Sequence, residues 1–341
     1  VSELLSTITS QASDGASGIF EDVGDLEDTV VVPSGGIVLL TAVVPLDHSA
    51  TGDEAADFRF AVDDVLQGPE VTAFKDGLSS TCGVALCWAI SGLSGSTKFA
   101  LQWRIRTGTP IVDTGRVRAF QVLHISDASL LVNISSTSAD SASGGYSDID
   151  EMTDTQTPAG VGSILLMLAN MNGEINSSDN TASFQFTVAA SIVGPESKAF
   201  EDSENEGCGM SHLWMETGRS GSIAFALQWD ELQPSYATDT GRVRSMQIIE
   251  ITDRANLLTA ITSNAADALT GSYTDVVDLV DTVDVDGTDS ILLFSAMVPL
   301  LEDVDKTAAF RFYESAVGEG PEQYVYSDNE DPDEACGHSL Y

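Results

Sequence analysis

TKFALQWRI, residues 97–105, sets Phe99, Leu101 and Trp103 on one side of an extended chain and Ala100, Gln102 and Arg104 on the other. Side chains alternate sides along a strand, so a period of two carried by aromatic residues reads as a strand with one face in a core. ADFRFAVDD, residues 56–64, repeats the pattern with Phe58, Phe60 and Val62. Such segments follow one another along the chain, bounded by Gly, Pro, Asp and Ser, and helical periodicity is nearly absent. About eight strands fall in each unit, the number a two-sheet jelly roll needs. The expected fold is all-β: tandem antiparallel β-sandwich (jelly-roll) repeats of about 126 residues.

The repeat is written in the sequence itself. Gly68-Pro69-Glu70 returns at Gly194-Pro195-Glu196 and at Gly320-Pro321-Glu322. FALQW stands at residues 99–103 and 225–229, and DTGRVR at 113–118 and 239–244. Cys82, Cys208 and Cys336 share one position, each followed by Gly, and the openings ELLSTITSQA, SLLVNISSTS and NLLTAITSNA match from Glu3, Ser129 and Asn256. Self-similarity at this period marks duplicated domains. The boundaries are residues 1–127, 128–254 and 255–341, with the third copy incomplete at its C-terminal end. FALQW and DTGRVR have no third counterpart, and Tyr341 falls just before the position of Trp88 and Trp214. A polypeptide continuing past Tyr341 is the expectation, and strands donated by a neighbouring subunit are the second choice.

Several strands are apolar on both faces: GIVLLTAVV (36–44), SILLMLAN (163–170), SILLFSAMV (290–298), RAFQVLHI (118–125) and RSMQIIEI (244–251). A strand apolar on both sides is covered on both sides. One side is the sandwich core, and the other is expected to meet a neighbouring repeat or another chain. Phe120, Val122, Met246 and Ile248 are the residues assigned to that interface.

The 341 residues carry 53 acidic against 14 basic side chains, a formal charge of -39, with 43% hydrophobic residues. Such a surface repels nucleic acid and anionic lipid and suits saline water, where counterions screen self-repulsion. The apolar share argues for a folded chain. No basic-plus-apolar leader opens it, and its longest apolar runs are too short to span a bilayer, so a soluble product, processed or shown in part, is expected.

The candidate chemistry is thin. Arg116 and Arg118, like Arg242 and Arg244, share a strand face, and Arg59, Arg104 and Arg311 also lie in strands. They fit either bidentate recognition of an acidic glycan or, better, pairing with the abundant acids. DVDGTD, residues 284–289, offers Asp284, Asp286 and Asp289 to a calcium ion, although Asp-Gly is also a common hairpin turn. No other cofactor is implied. Cys82 and Cys87 lie five apart in one strand and face opposite ways, which opposes a bond between them. The shared Cys reads as a small buried apolar residue. The four histidines, His48, His124, His212 and His338, are scattered, with no Ser or carboxylate pattern repeating around them. No phosphate loop or nucleophile elbow is present, so no enzyme is expected.

Phe58-Arg59-Phe60 followed by Gly68-Pro69, then Leu93-Ser94-Gly95-Ser96, FALQWR and RVRAFQVLHI resembles repeats of phage and marine bacterial surface proteins. Those repeats are similar to jelly-roll domains of the C1q and TNF type and occur in head fibres, tail fibres and capsid decorations. The resemblance implies a non-enzymatic virion-surface or extracellular component, a homo-oligomer partnered by copies of itself or by other surface proteins. It carries no functional residue across. A lectin-like adhesin binding host cell-surface glycan, with calcium assisting, is the alternative.

Overall fold

The computed structural model describes residues 2–48, 54–75, 82–112, 116–138, 140–141, 145–174, 180–202, 206–207, 209–231, 237–238 and 242–252. Of the third copy it describes 257–258, 260–261, 276, 279–282, 291–293, 295–296, 306–314, 317–327 and 339–340. Every regular element among these residues is a strand.

The first copy contributes β1 (Glu3–Ser10), β2 (Glu21–Val32), β3 (Ile37–His48), β4 (Glu54–Val62), β5 (Val65–Lys75), β6 (Cys82–Ser91), β7 (Gly95–Thr107) and β8 (Arg118–Ile125). One sheet runs β1-β8-β3-β6 and the other β2-β7-β4-β5, all neighbours antiparallel. This is the jelly-roll order, in which each sheet takes strands from both halves of the unit. The second copy repeats it with β9 (Ala128–Ser136), β10 (Ser147–Gln156), β11 (Ile164–Glu174), β12 (Asn180–Val188), β13 (Ser191–Asp202), β14 (Gly209–Thr217), β15 (Ile223–Glu231) and β16 (Arg244–Ile251). Its sheets run β9-β16-β11-β14 and β10-β15-β12-β13. In the third copy β17 (Ser295–Ala296) pairs with β20 (Ser339–Leu340) as β3 does with β6, and β18 (Lys306–Glu314) pairs with β19 (Val317–Ser327) as β4 does with β5.

Each sandwich closes over one core. Val23, Leu40, Phe58, Phe60, Phe99, Leu101, Trp103, Phe120 and Val122 fill the first, with Phe58 stacked on Trp103 at 5.8 Å between ring centres. Met152, Met167, Phe184, Phe186, Phe225, Leu227, Trp229, Met246 and Ile248 fill the second, with Phe184 against Trp229 at 6.3 Å. The alternation in FALQW thus buries the side it predicts, at equivalent places in both copies.

The Gly-Pro-Glu motif has a packing cause. β5 carries a bulge between its pairings with Phe58 and Phe60, and Gly68 lies there at φ +68° beneath the indole of Trp88. A Cβ on Gly68 would approach Trp88 Cδ2 to 2.7 Å, and Gly194 repeats this on Trp214 at 2.6 Å. Glycine answers both demands, positive φ and no side chain.

Candidate functional site

The outer faces of the two-sided strands meet across the boundary between the first and second copies. Ile37 and Leu39 of β3, Cys87 and Ala89 of β6, and Leu123 and Ile125 of β8 pack with Leu166 and Leu168 of β11, Leu213 of β14 and Ile249 of β16. Ala128, Leu130, Met215 and Ile251 of the second copy border this cluster, as does Leu293 of the third. Full burial of one such Leu or Ile contributes about 1.5–3 kcal/mol, so the seam is a core in its own right.

Polar side chains of the second copy complete it. β5 and β6 end their sheets, and an edge strand presents unpaired N–H and C=O groups that are costly when buried and adhesive when open. Ala89 N–H donates to Gln247 Oε1 at 2.9 Å, and Gln247 Nε2 donates to the Ala89 carbonyl at 2.8 Å. Thr72 N–H donates to Asn172 Oδ1 at 3.0 Å, and Asn172 Nδ2 donates to the Glu70 carbonyl at 2.7 Å. Asn170 Nδ2 reaches the Cys87 carbonyl at 3.0 Å while its own oxygen accepts from Ser211 Oγ at 2.7 Å. A carboxamide carries a donor beside an acceptor, so it can take the place of the missing strand. The backbones come close enough that a Cβ on Gly209 would lie 2.5 Å from Thr72 N, which explains the glycine that follows the shared cysteine.

Charge locks the same boundary. The Asp57 carboxylate is buried on β4 and pairs with Arg242 of the second copy at 2.8 Å and with Arg104 of its own copy at 3.1 Å. Arg242 also donates to Thr72 Oγ1 at 2.7 Å, and Thr72 Oγ1 donates to Asp57 at 2.8 Å. Glu70, turned by the bulge, takes Arg104 at 3.0 Å and Arg59 at 3.7 Å. Burial pushes the Asp57 carboxyl up, but Arg242, Thr72 and Arg104 outweigh it and hold it below its ordinary value.

Two assignments from the sequence change here. Phe120, Val122, Met246 and Ile248 do not line the seam: they face inward to the two sandwich cores, and their alternates Leu123, Ile125 and Ile249 make the contact. Both faces of these strands are apolar, so parity fixed the pairs of residues but not which pair faced which way. Arg59, Arg104 and Arg242 pair with acids, while Arg118 and Arg244 bond main-chain carbonyls with acids close by. Arg118 is fully buried and donates to the carbonyls of Ala12 and, at 2.6 Å, Gly24. Arg244 does the same to Ser138 and, at 2.9 Å, Asp150. Each holds a bulge in the edge strand β2 or β10, where Asp25 (φ 65°) and Glu151 (φ 66°) take left-handed backbone. Burial lowers both guanidinium pKa values, opposed by Asp14 and Asp25 in the first copy and by Asp140, Glu151 and Asp150 in the second.

Asp284, Asp286 and Asp289 lie outside the described residues, as do the side chains of Cys82, Cys208 and Cys336. Cys87 is buried and unbonded, its thiol pushed up by desolvation. His212 is buried edge-on to Phe186 at 4.7 Å, with Ser197 Oγ 2.9 Å from Nδ1. Among the described residues, no three His, Cys, Asp or Glu side chains converge as a metal site would require.

No protein-family model matches the chain, and no curated protein does. Among solved structures, the tandem CBM22-1–CBM22-2 domain of Paenibacillus barcinonensis Xyn10C is 8% identical, covering 72% of this chain and 97% of that one at a TM-score of 0.20. The complex of plant peptide RALF23 with FER and LLG2 gives 9% identity over 73% of this chain and 89% of that one, at 0.19. Overlap this slight carries no functional argument. The function has to be read from the seam.

Proposed function

We propose that this chain is a non-enzymatic structural protein of a virion or extracellular surface, its sandwiches serving as spacers and assembly faces. The observation that supports this is the seam. Apolar faces, carboxamides and a buried ion pair lock one copy to the next, and the repeated arginines pin backbone inside each copy. Buried polar groups used this way give rigidity and a fixed geometry between units, which a spacer requires. The acidic exterior keeps such a scaffold soluble and away from nucleic acid and anionic lipid, leaving other surface proteins as its partners.

Electron microscopy of the native source, with gold-labelled antibody raised to this chain, tests the proposal. Label on the surface of particles or filaments is expected, and label confined to the cell interior contradicts it. Saturable binding on a glycan array, abolished by a chelator, favours the adhesin instead.

A further inference from the structure

We infer that the three copies close into a ring, each laying its edge strands on the sheet face of the next, so that one chain completes a three-part assembly within itself. The inference deepens the scaffold reading and rests on it for its purpose, though not for its geometry. β5 of the first copy crosses β11, β14 and β16 of the second. β19, which matches β5 in the third copy, crosses β3, β6 and β8 of the first, the counterparts of those three strands. β20, the counterpart of β6, also lies against β3 and β6. The same two surfaces therefore meet twice in the same direction, third copy on first and first copy on second.

A head-to-tail contact repeated with one rotation either closes or runs on as an open filament. Leu39, Leu166 and Leu293 decide between them. They hold one position in GIVLLTAVV, SILLMLAN and SILLFSAMV, and all three pack on a single apolar cluster. Equivalent residues from three copies converge only around an axis, whereas an open array holds them a full repeat apart. The glycine that allows the close approach at Gly209 recurs in the sequence as Gly83 and Gly337.

The junctions are not interchangeable. Asn170 and Asn172 align with Val43 and Pro45 in the first copy and with Met297 and Pro299 in the third. Of the three faces, only the second carries these two asparagines, which meet the β5 and β6 main chains and fix the order of copies around the ring. Contacts with other chains then use surfaces other than these faces.

Size-exclusion chromatography coupled to small-angle X-ray scattering of the 341-residue chain is the test. The ring predicts a scattering mass near 35.9 kDa with a radius of gyration of about 20 Å, that of a single compact body of this length. The same mass with a radius of roughly 30 Å, as for three such domains strung in line, overturns it. A threefold larger mass overturns it too, because the axis would then join separate chains. Gold label away from any surface would remove the scaffold reading and leave the scattering result standing, so the two failures are distinguishable.

Discussion

Arg118 shares a strand face with Phe120 and Val122, and that shared parity is the one sequence signal that its charge points inward. The acid-rich composition suggested a carboxylate partner, but the burial site offers main-chain carbonyls at a bulge, which no side-chain pattern announces. Replacing Arg118 with Met keeps much of the volume and removes two main-chain hydrogen bonds at a bulge that is partly open to water. A loss of about 1–3 kcal/mol is expected, at about 0.5–1.5 kcal/mol for each of the two bonds. Arg244→Met should cost the same in the second copy, because its contacts are the same. Chemical denaturation of the two variants measures both, and a loss under about 0.5 kcal/mol in either, the level of an ordinary surface change, contradicts the clamp. Gly68→Ala forces a side chain into left-handed backbone at about 1–3 kcal/mol and drives it into Trp88. A shifted tryptophan emission together with a lowered melting temperature is expected.

At the scale of elements, strand identity and the buried side of each were legible because alternation in FALQW and FRF leaves a single way to bury the aromatics. The two-sided strands told that two covers exist and not which residues meet which. The carboxamides were missed, although Asn170 and Asn172 interrupt an apolar run on the same face as Leu166 and Leu168. Asp57 lay unremarked inside a strand whose pattern had been read for its aromatics. Its folded pKa lies below the ordinary value, so its contribution to stability is present above that value and is lost as pH falls through the folded one. The boundary should hold at pH 5 and loosen only below about pH 4. Asp57→Asn removes the countercharge of Arg242 and Arg104 and should cost about 1.5–3 kcal/mol at neutral pH. It should also abolish the acid step in a pH series of thermal melts. A melting temperature unchanged by the substitution would falsify the role given to the pair.

For the whole molecule the duplicated motifs announced the copies, while their mutual packing depends on contacts between segments 83 to 185 residues apart. A net charge of -39 makes the surface repel itself over the roughly 10 Å screening length of 0.1 M salt. In 1 M salt that length falls to about 3 Å, so the melting temperature should rise with sodium chloride; a fall would show that exposed ion pairs outweigh the repulsion. The central claim is that the second copy covers the edge strands of the first. Site-resolved hydrogen exchange tests it most directly, at the amides of Ala89 and Thr72, which no strand pairs and which donate instead to Gln247 and Asn172. Strong protection at both amides is predicted, with Gln247→Ala speeding exchange at Ala89 about tenfold or more while the amides of the central strands β3 and β8 stay protected. Exchange at Ala89 and Thr72 as fast as at an open sheet edge would contradict the account.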